Sequence, residues 1–334
     1  MKALRITRAI VPDDLSLSDI PAPIPGPRDV LISLKAAAIN HRDLHLFSWD
    51  PEGPFTLGSD GAGTVAEAGP QAANWLPGDE VIINPSLNWG PREDAYGPDW
   101  SIIGWPRDGT LAESIAVPSE NVFAKPAHLT FEQAAALPMA GVTAYRALVP
   151  RAQLQVGERV LIHGIGGGVA LLALQFALAL GAKVMVTSTS DDKLSRAAAM
   201  GADFGVNSRQ GDWVTAAQEW SGGTGVDVVI ESLGGDALAR SLKALRHGGR
   251  LVTFGATSDA HANIKVSLVY WHQLSILGAT MGSPADFAAM LALVNTHRIE
   301  PVVDSVWPMS DGCRAFERLA RGEQFGKIVV RCQE

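Results

Sequence analysis

Cysteine is scarce in this chain of 334 residues, in which only Cys313 and Cys332 carry a thiol. Two thiols cannot build a disulfide framework, and they cannot supply the four thiolates of a structural zinc site. Because disulfide-rich chains belong to oxidising compartments, the scarcity of cysteine predicts a reducing, cytoplasmic setting.

The chain also lacks a surplus of basic residues. Its 27 lysines and arginines are outnumbered by 35 acidic residues, which gives a net charge of -8. Binding to nucleic acid or to an anionic membrane surface needs a positive field, so we expect neither as a partner. A content of 47% apolar and 19% charged residues is typical of a globular protein.

Long apolar segments are missing as well, although residues 160–182 contain no Asp, Glu, Lys or Arg. Glycines interrupt the first half of this segment, and the uninterrupted part, Val169–Leu180, would form a helix of about 18 Å. A helix of about 20 residues is needed to cross a bilayer. The segment therefore predicts a buried strand, a glycine turn and a buried helix. Residues 1–14 contain no apolar core, so we expect no signal peptide.

The first 125 residues are rich in proline and glycine and contain short β-like runs. These runs are Val30–Ala36, Gly61–Ala66, Glu80–Asn84 and Leu111–Val117. Four prolines between Ile20 and Val30 predict an extended loop, because proline removes the backbone donor that a strand needs. This part of the chain is predicted to be an irregular, β-rich domain.

After Pro126 the sequence alternates between apolar strands and helices. The predicted strands are Glu158–Gly164, Lys183–Ser188, Phe204–Val206, Val226–Glu231, Arg250–Gly255, Ser275–Ala279 and Lys327–Arg331. The predicted helices are Gly167–Leu180, Asp192–Met200, Trp213–Trp220, Asp236–Arg246 and Pro284–His297. Gly248 and Gly249 are expected to end the fourth of these helices. Such alternation predicts an α/β domain with a doubly wound parallel sheet covered on both faces.

A glycine-rich turn follows the first strand of this alternating region. Gly164, Gly167 and Ala170 form the pattern G-x-x-G-x-x-A between a predicted strand and a predicted helix. Backbone N–H groups in such a turn approach the pyrophosphate of a dinucleotide at the helix N-terminus. The predicted contacts are Gly164, Ile165, Gly166, Gly167, Gly168 and Val169. The alternative is a tight turn with a structural role alone.

The residue at the end of the second strand indicates which dinucleotide binds. A site for NAD usually carries an acidic residue there, whereas this chain has Ser188. Its short side chain leaves room for a 2′-phosphate, so we predict NADPH. Three nearby side chains offer donors or positive charge, namely Ser190, Lys193 and Arg209. Alternatively, the last two are solvated surface charges, and Asp191 and Asp192 are expected to cap the next helix.

Seven segments resemble the medium-chain dehydrogenases/reductases, and they occur in the same order along nearly the whole chain. They are Ala36–Phe47, Leu57–Gly69, Pro77–Val81, Asp108–Pro118, Ala134–Leu148, Gly164–Ala170 and Phe325–Val330. The resemblance implies a GroES-like substrate domain (residues 1–125 and 270–334), a Rossmann domain (residues 126–269) and an active-site cleft at their junction. It also implies hydride transfer to a small-molecule substrate and a homodimer that forms through the sheet edge at Leu274–Met281.

Zinc-containing members of that family bind the catalytic metal through a Cys, a His and a third ligand that is either Cys or an acidic residue. The corresponding positions here look like Asn40, Ser59 and Met139, which do not make a plausible zinc ligand set. The lobe similar to the structural zinc lobe, Asn84–Gly104, contains no cysteine. A single imidazole and carboxylate, His41 and Asp43, do not complete a coordination sphere. We therefore expect no metal.

A protein without a Lewis acid must polarise a carbonyl through hydrogen bonds or rely on conjugation to delocalise the charge. Quinones and α,β-unsaturated ketones meet this requirement, and the chain most resembles the zinc-free quinone oxidoreductase branch. The resemblance implies that Asn40 lines the nicotinamide site and that Thr143 positions the ribose or phosphate. The alternatives are a turn-capping amide and a buried helix hydroxyl.

Other polar and aromatic residues near these motifs have two interpretations. His41 and Asp43 are candidates for a proton relay, although Asp43 in a structural ion pair is the favoured interpretation. Tyr145 is interpreted as a packed helix residue. Four tryptophans are candidates for the wall of an apolar pocket or for ordinary core positions, namely Trp49, Trp89, Trp100 and Trp105.

The resulting functional hypothesis is an NADPH-dependent reductase of quinones or α,β-unsaturated carbonyls. A zinc-free alcohol dehydrogenase or an enoyl-thioester reductase is an enzymatic alternative. A catalytically silent NADPH-binding protein with a regulatory or structural role is the alternative from a different class. Stoichiometric NADPH binding without turnover would identify that last possibility.

Overall fold

The computed structural model describes residues 1–6, 15–46 and 54–333, so Trp49 lies outside the described residues. The chain groups into two compact units. Unit 1 comprises Met1–Met139 and Ser283–Glu334, and unit 2 comprises Ala140–Gly282. The domain boundaries expected at residues 125/126 and 269/270 remain a prediction.

Among the described residues, the elements of unit 1 are mostly strands, whereas strands and helices alternate in unit 2. The strands are β1 (Lys2–Ile6), β2 (Leu15–Asp19), β3 (Asp29–Ala38), β4 (Phe55–Thr56), β5 (Asp60–Ala68), β6 (Glu80–Ile83), β7 (Ser86–Leu87), β8 (Ser101–Ile103), β9 (Pro106–Arg107), β10 (Ser114–Pro118), β11 (Val122–Ala124), β12 (Arg159–Ile162), β13 (Lys183–Ser188), β14 (Phe204–Asn207), β15 (Val226–Glu231), β16 (Leu245–Thr253), β17 (Ser275–Gly278), β18 (Val303–Pro308) and β19 (Lys327–Arg331). The helices are α1 (His41–His45), α2 (Phe131–Ala135), α3 (Pro138–Arg146), α4 (Gly168–Ala179), α5 (Asp191–Ala199), α6 (Trp213–Trp220), α7 (Gly235–Ala244), α8 (Val266–His272), α9 (Pro284–His297) and α10 (Gly312–Ala320). A π-helical turn, Ala147–Arg151, follows α3.

The main sheet of unit 1 has the strand order β11-β6-β5-β3-β19-β18, and β10 also pairs with β3. Along β3 apolar and polar residues alternate, so Val30, Ile32 and Leu34 point into the core and are fully buried. β5 and β19 both run antiparallel to β3, and Ala38 is paired with Asp60 on one side and with Val329 on the other. The end of β3 therefore lies beside the starts of β5 and β19.

Unit 2 contains a six-stranded sheet with the order β14-β13-β12-β15-β16-β17, in which neighbouring strands are parallel. Val228, Val229 and Ile230 of β15 are all buried, because helices cover a sheet of this kind on both faces. The order reverses between β12 and β15, which is the switch point at which parallel sheets bind ligands. The predicted doubly wound fold is confirmed.

The structure differs from the sequence-based expectation around Gly248. The predicted helix Asp236–Arg246 ends at Ala244, and β16 begins at Leu245 and continues through both glycines. Gly248 has a φ of +71°, and the register between β15 and β16 shifts between Val226 and Val228. The glycines therefore accommodate an irregularity at the start of a strand and do not end the helix.

The uninterrupted part of the apolar segment 160–182 predicts a helix too short to cross a bilayer. α4, the helix of the apolar segment, has 12 residues. Within the described ranges, no helix combines the length and apolar character that crossing a bilayer requires.

Candidate functional site

The glycine turn of unit 2 connects β12 to α4. Gly164 and Gly166 have φ values of +67° and +128°, which side chains other than glycine rarely adopt. The backbone N–H of Ile165 donates a hydrogen bond of 2.8 Å to the carbonyl of Thr187 and fixes the turn to β13. A Cβ at Gly167 would meet no atom within 4 Å, so the space before α4 is open. The turn thus presents backbone donors and a helix N-terminus, which suits a pyrophosphate.

Lys193 lies against this turn. A Cβ built on Gly166 would be 2.9 Å from Lys193 Cδ and 3.3 Å from its Nζ. The predicted cation is therefore beside the predicted phosphate-binding glycines, although the two positions are 27 residues apart in the chain. An ammonium at this place suits a phosphate ligand.

Ser188, at the end of β13, is 6% exposed, and its Oγ accepts a hydrogen bond of 3.2 Å from the Ser190 N–H. Ser190 is the N-cap of α5, and its Oγ accepts from the Lys193 N–H at 3.4 Å. The expectation that Asp191 and Asp192 cap this helix is wrong. Both lie in its first turn, because the extended backbone that a cap requires is found at Ser190.

Asp191 connects α5 to the segment that carries Arg209. Its two carboxylate oxygens accept hydrogen bonds from Asn207 Nδ2 at 2.8 Å and from Gln210 Nε2 at 3.3 Å. Arg209 lies between these two residues and is exposed. The loop of Arg209 is therefore fastened to the start of α5, the helix that also carries Lys193.

His163 precedes the glycine turn and was not identified from the sequence as a functional candidate. Its Nδ1 lies 2.9 Å from Thr187 Oγ1, and its Nε2 lies 2.9 Å from Ser241 Oγ. Ser241 Oγ donates its own proton to the Ala237 carbonyl, so it accepts from Nε2–H of the imidazole. Burial, with a smaller contribution from Arg240, lowers the pKa of His163 to about 4. The ring is therefore neutral at pH 7.

A second buried group, Glu231, ends β15. Its Oε1 accepts hydrogen bonds from the backbone N–H groups of Leu233 at 2.5 Å and Gly234 at 2.9 Å. Burial nevertheless raises the pKa of this carboxyl. The carboxylate fixes the loop after β15, in which a Cβ at Gly234 would come within 2.0 Å of the Asp259 carbonyl.

In unit 1, Asn40 belongs to a buried polar cluster with Asp60 and Lys327. Lys327 Nζ donates to Asp60 Oδ2 at 2.9 Å, to the Ile39 carbonyl at 2.9 Å and to Asn40 Oδ1. Asn40 Nδ2 donates to Asp60 Oδ2 at 3.0 Å, and Asp60 Oδ1 accepts from the Met139 N–H at 2.8 Å. Both ends of the Asn40 amide are therefore hydrogen-bonded within unit 1.

Asn40 also precedes α1, and its backbone N–H donates to Asp43 Oδ2 at 2.8 Å. Asp43 is fully buried, and burial raises the pKa of its carboxyl. Its Oδ1 lies 3.8 Å from Arg42 Nη1, which agrees with the favoured structural pairing. His41 is exposed, so the structure places the two members of the hypothetical relay in different environments.

Arg42 was not among the predicted site residues. Its Nη1 donates to Ser59 Oγ at 2.7 Å and to the Ile103 carbonyl at 3.2 Å. Ser59 is fully buried and directly precedes β5. The hydroxyl at the position that corresponds to a zinc ligand in zinc-containing relatives is therefore hydrogen-bonded to a guanidinium.

The remaining candidates lie on α3 and in the lobe Asn84–Gly104. Thr143 of α3 is buried, and Tyr145 on the same helix is half-buried. In the lobe, Tyr96 stacks on Trp100 with 4.2 Å between ring centroids, and Trp89 meets Trp100 edge-on at 6.3 Å. These rings pack against one another. Trp105, in turn, packs on Phe55 at 5.0 Å.

A dinucleotide and a zinc ion differ in how well they fit the residues of this fold. The glycine turn, Ser188 and Lys193 fit a dinucleotide, because they combine open backbone donors with a hydroxyl and a cation. Zinc does not fit the positions expected from the resemblance, since Asn40 and Ser59 offer an amide and a hydroxyl that other side chains already engage. In the part of the chain that the structure describes, no three His, Cys, Asp or Glu residues are arranged to hold a metal ion.

Two family models match this chain. A model of the alcohol dehydrogenase GroES-like domain matches residues 26–127, and a model of zinc-binding dehydrogenases matches residues 168–296. The chain is 35% identical to the zinc-type alcohol dehydrogenase-like protein YogA of Leptosphaeria maculans, over 95% of this chain and 94% of that protein. It is 30% identical to the quinone oxidoreductase of Homo sapiens, over 99% and 97%.

A solved structure titled as an NAD-dependent alcohol dehydrogenase gives a TM-score of 0.94 at 36% identity and covers 99% of both chains. The fold and the relatives define an oxidoreductase of a nicotinamide-nucleotide-dependent class. The chain belongs to the medium-chain dehydrogenase/reductase family. The predicted resemblance is confirmed.

Proposed function

We propose that the chain is an NADPH-dependent reductase that transfers hydride to quinones or α,β-unsaturated carbonyls without zinc. One observation carries the proposal. At the positions where the resemblance implies metal ligands, the chain places an amide bonded to Lys327 and a hydroxyl bonded to Arg42. The glycine turn of the nucleotide site is nevertheless retained. This combination supports hydride chemistry without a Lewis acid.

The preference for conjugated acceptors follows from the charge that hydride addition creates. On an isolated carbonyl this charge stays on one oxygen and calls for a strong electrophile such as a metal. In a quinone or an enone it is delocalised, and hydrogen-bond donors are sufficient to stabilise it. At two of these positions Asn40 and Ser59 are hydrogen-bonded to Lys327 and Arg42, so charged donors lie beside the positions of the implied metal ligands.

For the cofactor, the residues that would hold the pyrophosphate are the backbone groups of Gly164, Gly166 and Gly167. Ser188, Ser190 and Lys193 would hold the 2′-phosphate, together with Arg209 on the loop fastened by Asp191. When bound, the reduced nicotinamide supplies the hydride. The absence of a carboxylate at the end of β13 supports NADPH over NADH.

We also propose a cytoplasmic homodimer that forms through β17. This strand is at the edge of its sheet, and Ile276 on it is 40% exposed. Tyr270 and Trp271 of the preceding helix α8 are 61% and 72% exposed. Pairing of two such edges would satisfy their free backbone groups and cover apolar surface. Light scattering at micromolar concentration should give the mass of a dimer, and a monomer would contradict this proposal.

The experiment that tests the proposed function is a panel of acceptors with NADPH and NADH. Quinones and conjugated ketones should be reduced, and NADPH should have the lower dissociation constant. Turnover of saturated alcohols alone would favour an alcohol dehydrogenase. Tight NADPH binding without turnover of any quinone, enone or aldehyde would identify a binding protein.

A further inference from the structure

Asp43, Asp60 and Lys327 are buried charged side chains of unit 1, and Arg42 beside Asp43 is half-buried. The four are not equally paired. Lys327 and Asp60 form a hydrogen-bonded ion pair at 2.9 Å, with side-chain exposures of 5% and 0%. Arg42 is 19% exposed, and the carboxylate oxygen nearest to its Nη1, Asp43 Oδ1, is 3.8 Å away. That distance is too long for a hydrogen bond. Of the two cations, Arg42 is therefore the one without a hydrogen-bonded counterion among the described residues.

The hydrogen bonds of Arg42 leave part of its guanidinium available. Both of its side-chain hydrogen bonds, to Ser59 Oγ and to the Ile103 carbonyl, come from Nη1. Within the described ranges Nε and Nη2 donate to no protein atom, and neither is among the buried unpartnered atoms. Asp43 Oδ1, by contrast, is buried without a hydrogen-bond partner. The guanidinium thus has donors open to a ligand, whereas its nearest carboxylate is enclosed.

The two acceptors that the Arg42 guanidinium has among the described residues are neutral. A hydroxyl and a carbonyl orient the guanidinium, but they do not neutralise its charge. Burial without a hydrogen-bonded anion also lowers the pKa of Arg42, while Asp43 and Asp60 oppose this effect. An anionic oxygen of a ligand would supply the missing counterion.

Reduction of a conjugated carbonyl produces such an oxygen. The acceptor gains a hydride at its β-carbon, where a C–H bond forms, and its π electrons move toward the carbonyl oxygen to give an enolate. Water then supplies one proton to the α-carbon, and the reduced nicotinamide that lost the hydride is oxidised. In a quinone the same addition first gives an enolate, and transfer of a proton from the reduced carbon to the second carbonyl oxygen then gives a phenolate. The negative charge on oxygen develops in the transition state, where a preoriented donor is most effective.

We propose that the guanidinium of Arg42 binds the oxygen on which this charge develops and so takes the electrostatic role of the metal in zinc-containing relatives. The inference rests on the proposed function, because it assigns the acceptor oxygen to a residue. Arginine remains protonated, so Arg42 acts as a hydrogen-bond donor and a fixed charge, and it does not supply the proton.

Kinetics of three variants test this assignment. Arg42→Met should lower kcat for a quinone about 10²- to 10³-fold, as the loss of one oxyanion donor does, with little change in KM. Arg42→Lys keeps the charge but loses the planar fork, so it should retain part of the rate. Arg5→Met is the matched control, since the Arg5 side chain is 20% exposed and also donates to a carbonyl, that of Pro54. This control should keep the wild-type kcat.

A binding measurement separates the oxyanion role from a structural one. 4-Nitrophenol resembles a reduced quinone, and absorbance distinguishes its phenolate from its phenol form. The wild-type protein should bind the phenolate about tenfold to a hundredfold more tightly than the phenol, which lowers the pKa of the bound probe. Arg42→Met should abolish this preference and Arg5→Met should keep it. If Arg42→Met does not fold, Arg42→Gln preserves a donor to Ser59 and tests the same point.

The outcomes for the inference and for the proposed function are distinct. A phenolate preference that persists in Arg42→Met, or quinone turnover at the wild-type rate in that variant, would overturn the role of Arg42 alone. If the wild-type protein shows the Arg42-dependent phenolate preference but reduces no quinone or enone, the anion site stands and the proposed function fails.

Discussion

The glycine turn of unit 2 and the buried polar cluster of unit 1 (Asn40, Asp60 and Lys327) are built from different kinds of polar group. The turn presents backbone donors and a helix N-terminus, and all its residues lie within one short segment, Gly164–Gly168. The cluster consists of hydrogen-bonded side chains, and Asn40 forms hydrogen bonds with residues 20 and 287 positions away in the chain. A site built from backbone tolerates a change of neighbouring side chains, whereas a site built from buried charges depends on each partner.

The largest effect should come from breaking the ion pair of the cluster. Lys327→Met leaves the fully buried Asp60 without its cation, and an uncompensated buried charge costs about 3–5 kcal/mol. Urea unfolding should show this loss in the free energy of unfolding. The double variant Lys327→Met/Asp60→Asn should recover part of it, because the charge is then removed as well.

Lys125 provides the matched control. Its side chain is also 5% exposed, but its partner Glu80 is 53% exposed and stays hydrated when the lysine is removed. Lys125→Met should therefore cost about 1 kcal/mol or less through the lost ion pair. If Lys327→Met and Lys125→Met lower the free energy of unfolding equally, the buried ion pair contributes no more to stability than the partly exposed pair does.

On the side of the nucleotide site, Ser188→Asp changes a side chain while the glycine turn stays intact. A carboxylate at the end of β13 would repel a 2′-phosphate and accept hydrogen bonds from the ribose hydroxyls of NADH. An NADPH preference of about tenfold to a thousandfold should be erased or reversed. Dissociation constants of both cofactors, measured by fluorescence titration, test this prediction.

Ser195→Asp is the control for that experiment, because Ser195 is exposed on α5 and the variant adds the same charge away from the strand end. Its cofactor preference should stay close to that of the wild type. Tighter binding of NADH than of NADPH by the wild-type protein would show that Ser188 does not select the phosphate.

The two regions also differ in how far the sequence predicts them. β13, α6, β15, α9 and β19 begin and end at the predicted residues. These elements have strong apolar periodicity or clear boundaries, such as Ser283 and Pro284 at the start of α9. The glycine turn is equally local, so its pattern of residues suffices to predict its position.

The cluster was not predicted because strand register sets its contacts. Lys327 interrupts the apolar run Phe325–Val330, and such an isolated charge signals a buried partner without identifying it. Asp60 becomes that partner once β5 and β19 both pair with β3. Arg42 was missed for the same reason, since its contacts Ser59 and Ile103 are 17 and 61 residues away.

The smallest effect concerns His163, which directly precedes the glycine turn. Its pKa is about 4 in the folded protein against an ordinary value of 6.5, because the buried ring is held neutral. As the pH falls below 6.5 the unfolded chain takes up the proton first. The stability associated with the neutral ring is therefore complete above this pH and is lost as the pH approaches 4. Near pH 5 the loss should be about 2 kcal/mol.

His163→Gln removes this titration, so its free energy of unfolding should fall less than that of the wild type between about pH 7 and about pH 5. Urea unfolding at both pH values measures the difference. His247→Gln serves as the control for replacing an imidazole by an amide at an exposed position. If His163→Gln and the wild type lose stability in parallel, the imidazole takes up its proton as readily in the folded protein as in the unfolded chain. The region of the glycine turn would then bury a charged side chain, as the cluster of unit 1 does.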